Sequence, residues 1–101
     1  MMFPKQKRIK LSPAEWKRMR EYILNRDGKC LNCGYKENLV PAHVIGKGCG
    51  GDDSARNLVS LCAVGPNMTE GCHIRFDRYE FSLSNRVLAM LEQEPLYLDN
   101  N

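Results

Sequence analysis

Acidic residues are nearly missing from the first twenty positions, where Glu15 stands alone among Lys5, Lys7, Arg8, Lys10, Lys17, Arg18 and Arg20. A segment so short of carboxylates does not neutralise itself, which points to an anionic partner, most simply nucleic acid; the plainer alternative is a solvated basic tail. Long apolar runs are lacking as well, and with them any candidate for a membrane-spanning helix. There is no N-terminal apolar signal run, and the cysteine count of five is odd. Both features argue against a secreted disulfide scaffold, so a soluble intracellular protein is expected. Histidine occurs twice, at His43 and His73, so any imidazole chemistry falls on one of these positions. At 101 residues, with no internal repeat, the chain has room for one small domain. Cores below roughly 70–80 residues supply only a few kcal/mol, so a staple is expected.

Local patterns give the elements. Residues 1–10 read as a basic flexible tail, residues 11–94 as the domain and residues 95–101 as a loosely held C-terminal tail. Ser12 suits an N-cap, Pro13 the first helical position and Glu15 the reciprocal position of a capping box, so a helix starts here. Its apolar positions Trp16, Met19, Tyr22 and Ile23 recur at helical spacing, turn Lys17, Arg18 and Arg20 outward, and run to Asp27-Gly28. This helix is expected to pack on a metal-stapled core. Leu39 to Ile45 and Leu58 to Leu61 have strand composition and flank a glycine-rich loop, which makes a hairpin. A short helix opens at Cys72-His73, and a further helical pattern from Leu83 to Gln93 stops at Glu94-Pro95.

The staple is legible in the cysteines. Cys30-x-x-Cys33-Gly34 forms a knuckle, and Cys62 and Cys72 flank a loop. Together the four supply enough soft thiolates to close a tetrahedral structural zinc site, while Cys49 sits spare in the glycine loop. The bland reading is a set of free buried thiols.

Further along, His43 ends the first strand region, Asn57 opens Asn57-Leu58-Val59-Ser60-Leu61-Cys62, and Gly71-Cys72-His73 heads a helix. In this order, and over roughly Cys30 to Arg78, these motifs resemble the HNH endonuclease family. The long spacer from Cys62 to Gly71-Cys72-His73 looks like the form common in its phage-associated members. The resemblance implies an α+β fold, a small zinc-stapled ββα-metal or treble-clef unit with flanking N- and C-terminal helices. It also implies hydrolysis of DNA phosphodiester bonds. Cleavage needs a base for water, and a neutral imidazole, ordinarily of pKa about 6.5, suits that task. His43 takes that role in the resemblance, and Asn57 holds its loop and strand through the side-chain amide. His73 and Asp77, four apart on a helix, hold a divalent cation such as Mg2+, Mn2+ or Ni2+.

One departure stands beside the base. Many family members carry a metal-binding aspartate or histidine immediately before it, where this chain has Ala42. The metal then relies on His73, Asp77, phosphate and waters, or on Asp52 or Asp53, which otherwise read as a solvated turn. His73 could instead replace Cys72 as the fourth zinc ligand, and Asp77 could serve only the helix dipole. Arg75 and Arg78 suit phosphate contact or face water. DNA contacted mainly through its backbone is the expected partner, with no membrane role. A phage or recombination protein is a further possible partner, and an intracellular, phage- or prophage-encoded setting fits. The rival reading is a zinc-stapled nucleic-acid-binding module that does not cut.

Overall fold

A computed structural model describes residues 8–98. It has an α+β architecture: one two-stranded antiparallel sheet with three α-helices, in the order α1 (Pro13–Asp27), β1 (Leu39–His43), β2 (Leu58–Cys62), α2 (Cys72–Asp77) and α3 (Asn85–Glu92). Among the described residues, no helix is long and apolar enough to cross a membrane.

The helix starts where its capping chemistry dictates. Ser12 Oγ accepts the Glu15 backbone N–H at 3.3 Å, and Glu15 Oε1 accepts the Ser12 N–H at 3.0 Å, so two orphan donors of the first turn are satisfied reciprocally. At the far end the Gly28 N–H donates to Leu24 O from the left-handed region, φ 67°. Lys17, Arg18 and Arg20 are exposed, as the apolar spacing requires, while Met19 and Ile23 are buried.

The sheet runs in register from Leu39 opposite Cys62 to His43 opposite Leu58. All five residues of β2 are buried, because both faces of the strand are covered. On one face Leu58 packs with Met19, Ile23 and Ala55, and the Ser60 hydroxyl donates to Ile23 O. On the other, Val59 and Leu61 pack with Ala42, Cys30, Cys62, Cys72 and Leu91. The expectation that α1 packs on the cysteine core is therefore corrected: α1 covers the opposite face, and α3 covers the cysteine side. Alternation along β2 sends Leu58 and Ser60 to one side and Val59 and Leu61 to the other, while Cys62 at the strand end joins the cysteine side. Ser84 caps α3 by accepting the Val87 N–H at 3.2 Å.

β1 stops at His43, two residues short of the expected Ile45. The Val44 N–H still donates to Asn57 O at 2.8 Å, but both backbone groups of Ile45 are taken by the Asn57 side chain. With its hydrogen bonds supplied by an amide, the chain turns outward.

Both presumed tails are anchored where they are described. Residues 1–7 and 99–101 lie outside the described residues. Arg8 donates to Gly51 O at 2.7 Å, the Ile9 N–H donates to Asp52 Oδ1 at 2.6 Å, and the Asp53 N–H donates to Ile9 O at 2.8 Å. Leu98 packs against the α1 core. Glu94 is tied to α1, accepting from Tyr22 Oη at 2.6 Å and from Arg26 Nη1 at 3.2 Å. Arg26 also donates to Leu58 O at 2.7 Å and Ala55 O at 3.0 Å, joining the end of α1 to β2.

Candidate functional site

Two sites emerge. The first is the cysteine cluster. The knuckle turns at Cys30, whose carbonyl accepts the Gly34 N–H at 2.9 Å, and the Cys33 N–H points to Cys30 Sγ at 3.5 Å. Cys62 closes β2, and the chain then leaves through residues 63–71 and returns to it. A Cβ on Gly71 would lie 2.2 Å from Ala63 O and 2.4 Å from Cys62 O, so only glycine lets the returning backbone come this close. That approach delivers the Cys72 N–H to Cys62 Sγ at 3.3 Å.

The four sulfurs of Cys30, Cys33, Cys62 and Cys72 lie within 4.8 Å of one another, with Cys33 and Cys62 3.8 Å apart. Tetrahedral bonds of about 2.3 Å to zinc give sulfur-sulfur edges of about 3.8 Å, so this donor set fits a structural zinc. The electrostatics of the cluster point the same way. Burial raises the Cys30 thiol, but N–H donors from Cys33, Asn32 and Cys62 outweigh it and bring the pKa down to about 7. Burial, together with the Cys30 thiolate, pushes Cys72 up to about 12 even though Asn32 Nδ2 donates to its sulfur at 3.3 Å. One thiolate thus opposes the next, and a divalent cation removes that opposition. Among the described residues this is the one group of three or more metal-ligating side chains. Cys49 is exposed and stands apart from it.

The second site surrounds His43, at the end of β1 on the α1 face. Its ring lies parallel to Trp16, with centroids 5.9 Å apart and planes 3° from parallel, and Lys47 Nζ lies 5.9 Å from the Trp16 ring on this side of the molecule. Nε2 of His43 is 2.8 Å from Asp53 Oδ1. That carboxylate also accepts from Arg8 Nη2 at 2.6 Å and from the Leu11 N–H at 3.1 Å. The reading of Asp52 and Asp53 as a solvated turn is corrected here: Asp53 is only 6% exposed, and both carboxylates are engaged by the 8–11 segment. Burial would raise the Asp53 carboxyl, but the His43 hydrogen bond, the Leu11 N–H and the Arg8 charge outweigh it, and its pKa falls below the ordinary value.

Asn57 does what its amide can do best. Oδ1 accepts the Ile45 N–H at 2.8 Å, and Nδ2 donates to Ile45 O at 3.0 Å and Asp52 O at 2.9 Å, which pins both ends of the loop between the strands. A Cβ on Gly51 would fall 1.8 Å from Ile45 O, so the loop closes tightly just there.

A cleft of about 370 Å³ opens beside His43, lined by Val44, Phe76, Phe81 and Leu83 and by Asp77 from α2. His43 and Asp77 therefore share one cavity. His73 does not line it, but its Nε2 lies 3.9 Å from Asp77 Oδ2 one turn along the same helix. Ala42 does not line it; it is 1% exposed, buried in the cysteine-side core. Arg75 pairs with Glu80 at 3.5 Å, and Arg78 pairs with Glu70 and Glu80. These are surface pairs of low individual worth, which a phosphate can displace. Sequence patterns missed Asp53 and Trp16 as partners of His43, Arg8 as a partner of Asp53, and Asn32 as a donor to Cys72; all four meet their partners through tertiary contact. Comparison with family models, with curated proteins and with solved structures returns no significant match.

Proposed function

We propose that this chain is a metal-dependent endonuclease of the HNH type, built on a zinc-stapled ββα unit and hydrolysing DNA phosphodiester bonds. The observation that carries this reading is that His43 from β1 and Asp77 from α2 line one cleft, with Asn57 fastening the loop between the strands. His43 accepts a proton from the attacking water. His73 and Asp77 would hold a divalent cation, which stabilises charge on the phosphate and the leaving oxygen when bound. Two protein ligands suffice for an ion of the magnesium type, which keeps several of its waters. The four cysteines would hold zinc as the structural staple. Exposed Lys17, Arg18 and Arg20 on α1 supply phosphate contacts, so binding falls steeply with salt.

The buried Ala42 favours a second reading, a nucleic-acid-binding module on the same scaffold that does not cut. Nicking of supercoiled plasmid with magnesium, manganese or nickel, by wild type and by His43→Ala, separates the two. Metal-dependent nicking abolished in the variant is the expected result. DNA binding without nicking in any of the three metals overturns the enzyme reading.

A further inference from the structure

We infer that Asp53, itself held by Arg8, is a positioning residue that fixes His43 as the Nε2–H tautomer and leaves Nδ1 as its free lone pair. The inference concerns the base of the proposed endonuclease and rests on that reading for its catalytic consequence, although the tautomer can be observed without any activity.

A neutral imidazole carries one N–H and one lone pair, and the partner of one nitrogen decides the role of the other. An ionised carboxylate can only accept. Asp53 Oδ1 lies 2.8 Å from His43 Nε2, so the proton must sit on Nε2. The carboxylate is kept ionised by its surroundings: Arg8 Nη2 shares Oδ1 at 2.6 Å, and the Leu11 N–H takes Oδ2 at 3.1 Å. Both oxygens are thereby spent, which removes Asp53 from the set of acids that could reach a catalytic metal in place of Ala42.

The ring is restrained in two independent ways. Asp53 holds it by a hydrogen bond at Nε2, and Trp16 fixes its plane by stacking within 3° of parallel. Among the described residues the charged groups near it are Asp53 and Arg8, Lys47 over the Trp16 ring, and Asp77 in the same cleft. Arg8 is anchored to Gly51 O as well, so the N-terminal segment braces the carboxylate. A base within about 1 Å of its productive position is worth on the order of 100-fold in rate, which gives such bracing a catalytic consequence.

The test compares wild type, Asp53→Ala and Asp53→Asn, each loaded with zinc. Asparagine can keep an oxygen toward His43 and Arg8, losing the Leu11 contact and the negative charge, whereas alanine removes the acceptor. Long-range proton–nitrogen NMR reads the tautomer of both histidines, with His43→Ala assigning the signals. The expected result is an Nε2–H tautomer at His43 in wild type and Asp53→Asn, lost in Asp53→Ala. In the same alanine variant kcat for nicking falls on the order of 100-fold with KM changed little, and the asparagine variant retains most of the rate. An Nδ1–H tautomer in wild type overturns the inference, as does an Asp53→Ala protein with unchanged tautomer and kcat. Equal rate losses in both variants with the tautomer intact would show that Asp53 only fastens the 8–11 segment. Should Asp53→Ala not fold, the wild-type and Asp53→Asn spectra still decide. A wild type that never nicks removes the endonuclease reading alone, because the tautomer is read independently.

Discussion

Replacing Asn57 tests the loop latch most directly. Its amide makes three hydrogen bonds, one accepted from the Ile45 N–H and two donated to Ile45 O and Asp52 O, and the residue is 8% exposed. Each such bond contributes about 0.5–1.5 kcal/mol net, and Ile45 is exposed enough for water to take over part of its share. Asn57→Ala should therefore cost about 2–3 kcal/mol, a large part of the roughly 5–15 kcal/mol available to a domain of this size. With a urea slope of about 1.5 kcal/mol/M the midpoint falls by about 1.3–2 M. Asn57→Asp should cost more than alanine at pH 8, because a carboxylate placed against two carbonyl oxygens has nothing to donate. Folding then disfavours the charged form and raises the pKa of the new carboxyl. Stability of that variant should rise as pH falls from 8 towards 5, since the folded state binds the extra proton. Urea titration with zinc in excess measures both. An Asn57→Asp protein as stable as Asn57→Ala at pH 8, or insensitive to pH, would refute the assigned amide orientation and the latch built on it.

Other consequences are equally measurable. Cys62→Ser should lose both bound metal and cooperative unfolding, and a strong chelator should unfold the wild type, with metal content and circular dichroism as readouts; retention of native structure without metal counts against a structural site. Gly71→Ala, whose Cβ has no room against Ala63 O and Cys62 O, should destabilise by at least about 2 kcal/mol and weaken metal retention. The depressed pKa of Asp53 adds stability that is fully present above the ordinary aspartate pKa of about 3.9 and is lost as pH falls through the lower folded value. The gap between wild type and Asp53→Asn, followed by denaturation, should accordingly shrink on acidification; a gap that widens refutes the charge arrangement around His43.

What could be read from the sequence were features whose partners lie close along the chain or whose chemistry names its own partner. The capping box at Ser12 and Glu15 spans four residues, and its chemistry suffices to place the start of α1. Four cysteines in two spaced pairs imply a common destination whatever path joins them. Asp53 behaves differently. Beside two glycines and another aspartate it has turn composition, and nothing local records that Arg8, 45 positions earlier, will neutralise it or that His43 will meet it. Trp16 likewise reads as part of an apolar helical stripe, a face that in the fold also reaches the histidine. The assignment of α1 to the cysteine core failed for a related reason: periodicity says that a helix face is buried, and only the sheet decides against what.

The strand covered on both sides, β2, has a consequence for how the molecule comes apart. It supplies residues to the cysteine core and to the α1 core at once, and it pairs with the strand that carries His43. Neither half can loosen while the other keeps this strand in place, so the molecule has no natural line along which to open partially. The slowest-exchanging amide protons should be those of β2, released only in global unfolding, whichever core is attacked first. Metal supply would then set the lifetime of the histidine site as well, because Val44, Phe76 and Leu83, which line the cleft beside His43, pack against the cysteine-side core.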